Sequence, residues 1–121
     1  MRRTEADMPF IRTTTNKELS QKEKVKLREL YGKLIEKIPG KSEEWLMISI
    51  SDGTYMAFRG EDEEPCAMIE VDLLGAADSS ALDEMTEAVC DKVGNLLDID
   101  PARIYVRYQS YEHWGYNRFN F

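Results

Sequence analysis

The chain has 121 residues and a formal net charge of −7, and 42% of its residues are hydrophobic. That length corresponds to one domain, and the hydrophobic fraction is that of a globular protein rather than a disordered one. The acidic balance argues against nucleic acid and anionic membranes as partners, because both bind positively charged surfaces. No apolar run approaches membrane-spanning length and no signal-peptide core is found, so we expect a cytoplasmic protein.

Residue types that bind metals or form disulfides are sparse. Cys66 and Cys90 lie far apart without metal-ligand spacing, which favours two reduced thiols. His113 is the single histidine, and the scattered acidic residues give no convincing metal set. We therefore expect no metal and no cofactor.

The first seven residues differ from the rest of the chain. Residues 1–7 are polar without periodicity and are interpreted as a flexible extension, ahead of one domain over 8–121. In a bacterial gene, the purine-rich ribosome-binding sequence upstream of the true start could encode Arg-Arg if it were translated by mistake. Arg2-Arg3 therefore suggests that the true start lies further along the chain. Synthesis would then begin at Met8, and removal of that methionine would give Pro9 a free secondary amine. The alternative is an ordinary proline at a strand edge, where its missing N–H costs no ladder bond.

The chain after Pro9 first predicts a strand and a helix. Phe10 to about Thr14 is an apolar, β-branched run typical of a strand. Ser20 and Glu23 form a capping box, and apolar residues then recur at helical spacing until Pro39-Gly40 ends the helix.

A second strand and a hairpin are expected next. Alternating residues predict a strand from Leu46 to Ser51. Asp52-Gly53 is a hairpin signal, so a short returning strand is expected over Tyr55–Phe58. The acidic residues 61–64 are interpreted as a solvated turn.

The second half of the chain repeats this order. Alternation predicts a third strand from Ala67 to Leu74, and Ser80 with Asp83 is expected to cap a second helix. A fourth strand is predicted from Ile104 to Tyr108, ahead of an aromatic tail. The buried stripe of the second helix is predicted to contain Leu82, Met85, Val89, Val93 and Leu96.

The two strand–helix–strand units, 10–51 and 67–108, have nearly equal internal spacing. With right-handed crossovers they predict an α/β (α+β) fold, a four-stranded mixed sheet with both helices on one face. The opposite face is too polar for a second core layer and too apolar for free solvent, so we infer that a closed ring of subunits encloses it. Its residues are Met47, Ser49, Met68, Glu70, Asp72 and Arg107.

Several short motifs follow one another in a specific order. They are Met8-Pro9-Phe10-Ile11, Gly40-Lys41, Met56-Ala57-Phe58, Glu64-Pro65-Cys66-Ala67, Leu74-Gly75, Pro101-Ala102-Arg103-Ile104-Tyr105-Val106 and Gly115-Tyr116-Asn117 ahead of Phe119. In order and spacing they resemble the macrophage migration inhibitory factor family of the tautomerase superfamily, over Met8 to Phe121. The resemblance implies a homotrimer with active sites between subunits and an N-terminal catalytic proline, here Pro9.

The resemblance also implies the substrate-binding residues. Lys41 matches the family's pocket lysine, and Leu74 matches the residue whose backbone N–H binds substrate. Tyr105 matches a pocket residue supplied by a neighbouring subunit. The aromatic walls of the pocket correspond to Tyr116 and Phe119, with Trp114 beside them.

Arg107 departs from the family pattern, since relatives often carry asparagine there. Its guanidinium either grips a substrate carboxylate in bidentate fashion or pairs with Glu70 or Asp72. Of the family's Cys-x-x-Cys only Cys66 is kept, because Ile69 takes the second place. That argues against thiol–disulfide exchange.

The activity implied by the resemblance is keto–enol tautomerisation of phenylpyruvate-like 2-oxo acids, with Pro9 as general acid and base. One alternative is a cytokine-like, non-catalytic trimer that binds another protein. Another is a hydratase or dehalogenase of unsaturated acids, which would need a water-activating carboxylate such as Glu70 or Asp72.

Overall fold

The two helices and the four strands of the main sheet follow the predicted order. The computed structural model describes residues 8–121, and the predicted extension over residues 1–7 lies outside the described residues. Short 3-10 turns at Ile35–Lys37, Glu43–Trp45 and Pro101–Arg103 connect the main elements. Those elements are β1 (Pro9–Thr15), α1 (Gln21–Leu34), β2 (Met47–Ser51), β3 (Ala67–Leu74), α2 (Ser79–Leu97), β4 (Ile104–Tyr111), β5 (Gly115–Tyr116) and β6 (Phe119–Asn120).

The predicted four-stranded mixed sheet is confirmed, with strand order β2-β1-β3-β4. β1 is parallel to β2, β3 is parallel to β4, and β1 is antiparallel to β3. Ile11 lies opposite both Ile48 and Val71, so apolar side chains on one face stack across adjacent strands. Residues of α1 and α2 join this face in a single core, which places both helices on the same side of the sheet.

The start of α1 is fixed by the predicted capping box. The Ser20 hydroxyl accepts the Glu23 N–H at 3.1 Å, and the Glu23 carboxylate accepts the Ser20 N–H at 2.9 Å. The bond from the Ser20 N–H lowers the pKa of the Glu23 carboxyl. About two turns further along the helix, Tyr31 is fully buried, and its hydroxyl shares a 2.5 Å hydrogen bond with that of Thr13. This bond satisfies the polar atoms of both core side chains.

α2 begins earlier than its sequence suggests. The prediction of Ser80 as N-cap is wrong, because the Leu82 N–H already bonds to the Asp78 carbonyl at 3.1 Å and Asp78 is the N-cap. The predicted stripe faces the core, but its two outer residues are only partly buried, and Leu97 is fully buried instead. The fully buried members are Met85, Val89 and Val93, and the partly buried ones are Leu82 and Leu96. Among the described residues, no helix is both long and apolar enough to cross a membrane.

The segment after β2 does not return along it, so the predicted strand over Tyr55–Phe58 is wrong. The Asp52 carboxylate accepts the Leu19 N–H at 2.8 Å, and the Gly53 N–H donates to the Lys17 carbonyl at 3.1 Å. These bonds tie the turn to the segment that follows β1, so the chain cannot run back beside β2. Phe58 forms only an isolated bridge, with Glu61.

The acidic turn at 61–64 is largely exposed, as predicted. Glu61 organises it, because its Oε1 accepts the N–H groups of Glu63 and Glu64. Arg103 then fastens the turn to the start of β4. Its side chain pairs with the Glu61 carboxylate at 3.1 Å and donates to the Pro65 carbonyl at 2.9 Å.

Candidate active site

Pro9 is buried at the first position of β1, beside a cavity of about 560 Å³. Three parts of the chain form its wall, namely the start of β1, the 3-10 turn leading into β2, and the tail after β4. The structure thus brings Pro9 together with two of the predicted aromatic residues, Trp114 and Tyr116. The full lining is Met8, Pro9, Phe10, Glu44, Trp45, Leu46, Met47, Trp114, Gly115 and Tyr116.

The aromatic tail reaches the cavity because it folds into a small hairpin. Asn117 and Arg118 both have positive φ, at 49° and 73°, as a tight turn of the primed type requires between β5 and β6. The Phe121 N–H closes the hairpin on the Trp114 carbonyl at 2.9 Å. Tyr116 then meets Trp45 edge to face, with ring centroids 5.2 Å apart.

Leu74 connects Lys41 to the residue that precedes Pro9. The buried Lys41 Nζ donates to the Leu74 carbonyl at 3.1 Å. The Leu74 N–H donates to the Met8 carbonyl, also at 3.1 Å. Since the Pro9 nitrogen is bonded to that carbonyl carbon, the Leu74 nitrogen lies within about 5.5 Å of it. In the uncleaved chain Met8 is therefore buried, with 3% of its surface exposed, and its carbonyl takes up the hydrogen bond that the Leu74 N–H can donate.

Two other predicted site residues point elsewhere within this protomer. Tyr105 is 58% exposed and lies opposite Met68 of β3, whereas Pro9 lies opposite Leu73. That separation of five residues along a strand is about 16 Å. Phe119 is 71% exposed and does not line the cavity.

Arg107 forms an ion pair with an acidic residue of its own protomer. Its Nη2 forms an ion pair with the Glu70 carboxylate, and the same carboxylate lies 3.4 Å from the Arg12 Nη1. Burial raises the pKa of the adjacent Asp72 carboxyl, despite the two arginines. The Glu70 carboxylate thus already has two guanidinium partners within this protomer.

Neither cysteines nor acidic residues build a metal centre in the described part of the chain. Cys66 and Cys90 are free thiols. Within residues 8–121, no group of three or more His, Cys, Asp or Glu residues is placed to hold a metal ion.

Sequence reasoning missed the wall that precedes β2, chiefly Glu44 and Trp45. The two predicted strands β1 and β2 could have revealed this wall, because strands that pair in parallel begin at the same edge of a sheet. The observed register pairs Phe10 with Met47, which places residues 44–46 beside Pro9.

Comparison with known proteins gives one family. The chain matches the family model described as macrophage migration inhibitory factor (MIF) over residues 8–118, and no curated protein matches. It is similar to the crystal structure of Leishmania major MIF2, with 31% identity and a TM-score of 0.88, covering 95% of this chain and 98% of that one.

Two further solved structures are similar. A macrophage migration inhibitory factor homologue from Prochlorococcus marinus is 32% identical, with a TM-score of 0.81, covering 93% of this chain and 98% of that one. A macrophage migration inhibitory factor-like protein from Entamoeba histolytica shares the fold at 16% identity and a TM-score of 0.83, covering 94% and 99% of the two chains.

Proposed function

Because the chain belongs to the macrophage migration inhibitory factor family of the tautomerase superfamily, we propose that it is a keto–enol tautomerase of phenylpyruvate-like 2-oxo acids. Pro9 is the general acid and base once it is the first residue, and residues 8–121 contain the functional domain. The observation that carries the proposal is the position of Pro9, buried at the start of β1 and lining an aromatic cavity.

The chemistry requires a base whose pKa lies near the working pH, because one group must both accept and return a proton. A secondary amine in water is too basic for this. Burial disfavours its charged form, and a nearby cation does so again, so both lower its pKa. At Pro9 the burial comes from the cavity wall, and Lys41 supplies the cation. In ketonisation the Pro9 nitrogen takes the enol hydroxyl proton and delivers a proton to the adjacent carbon, with no net redox change.

Substrate binding is assigned to the groups that surround the Met8–Pro9 bond. With Met8 removed, the Leu74 N–H is free to donate to a substrate oxygen, and Lys41 is close enough to favour the substrate carboxylate. Trp114 and Tyr116, which line the cavity, pack against the aryl ring of the substrate. The substrate then lies with its acid end at Leu74 and its ring toward the aromatic tail.

We further propose that the protein is a homotrimer whose sites lie between subunits. Tyr105 is about 16 Å from Pro9 along the sheet, so it contributes to a site only when another subunit brings it there. Its ring is already oriented by Phe58, which meets it edge to face with centroids 5.1 Å apart. Arg107 and Phe119, both exposed, are assigned to the same intersubunit region.

The test uses protein that begins at Pro9 and follows the absorbance of enol-phenylpyruvate as it ketonises. We expect Pro9→Gly to lower kcat/KM by about a hundredfold or more, because the buried secondary amine is lost. Pro101→Gly, a proline in the distant 3-10 turn before β4, is the matched control and should keep its activity. Full activity in Pro9→Gly, or in the chain that retains Met8, would refute the assignment of the base.

The uncleaved chain favours a second candidate function. With Met8 in place the Pro9 nitrogen is an amide without usable basicity, and the nearby Leu74 N–H is occupied. A protein that keeps this form is suited to binding another protein rather than to catalysis. The intact mass of the protein from its natural source distinguishes the two, since catalysis requires the mass of a chain that starts at Pro9.

A further inference from the structure

Tyr105 is an exposed side chain on the edge strand β4, and yet its ring is oriented by contacts within its own protomer. We propose that Arg103 is a positioning residue, which acts through Phe58 to hold the Tyr105 ring in the orientation that it presents to the site of a neighbouring subunit. The inference rests on the proposed function, because it takes Tyr105 as a residue of an intersubunit site. It adds to that function a residue that does not itself touch the substrate.

The Phe58 ring is the direct support of Tyr105. The two rings meet edge to face, with centroids 5.1 Å apart and an interplanar angle of 81°. This is one of the geometries that aromatic pairs prefer. Phe58 is partly buried whereas Tyr105 is 58% exposed, so the orientation of Tyr105 depends on how firmly Phe58 is held.

Phe58 is the first residue of a tight turn that ends at Glu61. The Phe58 N–H donates to the Glu61 carbonyl at 2.9 Å, and the Glu61 N–H donates to the Phe58 carbonyl at 3.2 Å. Between them, Arg59 and Gly60 have positive φ, at 57° and 78°, as a turn of the primed type requires. The turn holds Phe58 opposite Glu61, so a contact that fixes one of them also restrains the other.

Arg103 contacts both ends of this turn. Its guanidinium carbon lies 5.3 Å from the centroid of the Phe58 ring, and its Nη2 pairs with the Glu61 carboxylate at 3.1 Å. The same side chain donates from Nε to the Pro65 carbonyl at 2.9 Å and from Nη2 to the Glu64 carbonyl at 3.1 Å. A planar guanidinium with these four contacts is a rigid clamp, which a lysine cannot reproduce.

The position of the clamp suits a role in binding. Arg103 and Tyr105 are separated by Ile104 alone, and Ile104 is buried in the core, which fixes the backbone between them. A side chain that is already ordered loses less freedom when a ligand binds, so a Tyr105 ring held in place contributes more to affinity than a mobile one. Loss of Arg103 should therefore weaken binding without touching the proton transfer at Pro9.

The test is a double-mutant cycle on protein that begins at Pro9. Arg103→Met removes the charge and the donors and keeps a long side chain. We expect it to raise the KM for enol-phenylpyruvate about fivefold with kcat unchanged. The Kd for phenylglyoxylate, an aryl 2-oxo acid that cannot enolise, should rise by about the same factor. Both tryptophans of the protein line the cavity, so their fluorescence reports this Kd.

The double variant separates positioning from a general structural role. Tyr105→Ala should raise KM and Kd about tenfold, and adding Arg103→Met to it should raise them no further. Independent effects would instead multiply to about fiftyfold. Arg103→Lys keeps the charge for Glu61 but lacks the planar fork, so it should raise both constants to a smaller extent. Arg28→Met, an exposed arginine of α1, is the matched control and should behave as the parent.

The orientation of the ring is measured separately, by NMR on the full chain. The Tyr105 ring protons should show nuclear Overhauser contacts with Phe58 and a shift caused by its ring current. Arg103→Met should reduce both signals, and Arg28→Met should leave them unchanged. Circular dichroism and sedimentation verify that each variant keeps the fold and the oligomeric state of the parent.

Three outcomes overturn the positioning role, namely unchanged KM and Kd in Arg103→Met, effects that multiply in the double variant, and Phe58–Tyr105 contacts that survive the loss of Arg103. Failure of the proposed function is distinguishable. Protein that begins at Pro9 and binds phenylglyoxylate with the expected dependence on Arg103, yet does not ketonise enol-phenylpyruvate, retains the positioning role and loses the tautomerase. A parent protein that does not bind phenylglyoxylate refutes both.

Discussion

Removal of Met8 is expected to open the site and to weaken the fold in the same step. Met8 is 3% exposed, and its carbonyl accepts the Leu74 N–H. Burial of a methionine side chain contributes about 1.5–3 kcal/mol, and the hydrogen bond a further 0.5–1.5 kcal/mol or so. Protein that begins at Pro9 should therefore unfold with a free energy about 2–4.5 kcal/mol lower than that of the full chain.

A ligand should restore this stability only in the protein that begins at Pro9. Phenylglyoxylate is a suitable probe, because it is an aryl 2-oxo acid that cannot enolise. At about 100 times its Kd it should stabilise the cleaved form by about 2.7 kcal/mol. In the full chain it should have little effect, because Met8 occupies the Leu74 N–H. Urea unfolding with and without the ligand measures both quantities.

Met8→Ala in the full chain separates the two roles of residue 8. The substitution removes the buried side chain but keeps the carbonyl, so it should lower the stability without admitting phenylglyoxylate. The reasoning is refuted if the full chain and the cleaved form have the same stability, or if both are stabilised equally by the ligand.

Two further predictions concern the scaffold. The bond from the Leu19 N–H lowers the pKa of the Asp52 carboxyl. The ionised Asp52 carboxylate therefore stabilises the fold above its unfolded pKa of about 3.9, and this contribution is lost as the pH falls through the lower folded pKa. In a plot of the free energy of unfolding against pH, Asp52→Asn should make the fall at acidic pH less steep. Gly94→Ala should lower the stability by about 1–3 kcal/mol in urea unfolding, because its Cβ would lie 2.7 Å from the Ile99 carbonyl oxygen. Gly32→Ala is the control, since its Cβ would meet only the mobile end of the Glu43 side chain; an equal loss there would contradict the steric explanation.

The order of the elements was predictable because local signals agreed with the global pattern. The Ser20–Glu23 capping box fixed the start of α1, and alternation fixed β3 from Ala67 to Leu74. The hairpin was predicted wrongly because a long-range bond decides the local conformation there. Asp52-Gly53 has the sequence of a hairpin, but its carboxylate bonds to Leu19, 33 residues earlier in the chain.

The site was predictable only in part, for a related reason. Pro9 and Tyr116 belong to family motifs, Trp114 directly precedes one, and the three residues meet in one cavity. Glu44 and Trp45 belong to no motif and have no periodicity, since they lie in a 3-10 turn. Their place beside Pro9 follows from the register of two parallel strands, which a single sequence specifies only through tertiary packing.

The topology itself argues that one protomer holds two separate parts of the proposed site. β1 and β2 are parallel and β3 is antiparallel to them, so Pro9, the turn before β2 and Leu74 all lie at one end of the sheet. Tyr105 begins β4 at the opposite end, where Phe58 and Arg103 pack beside it. A single chain cannot bring these ends together, because the sheet is rigid between them. We expect Tyr105→Phe to change KM for enol-phenylpyruvate, because the end of the sheet that holds Tyr105 in one protomer must then lie against the end that holds Pro9 in another. A protein that is monomeric in solution would exclude that arrangement.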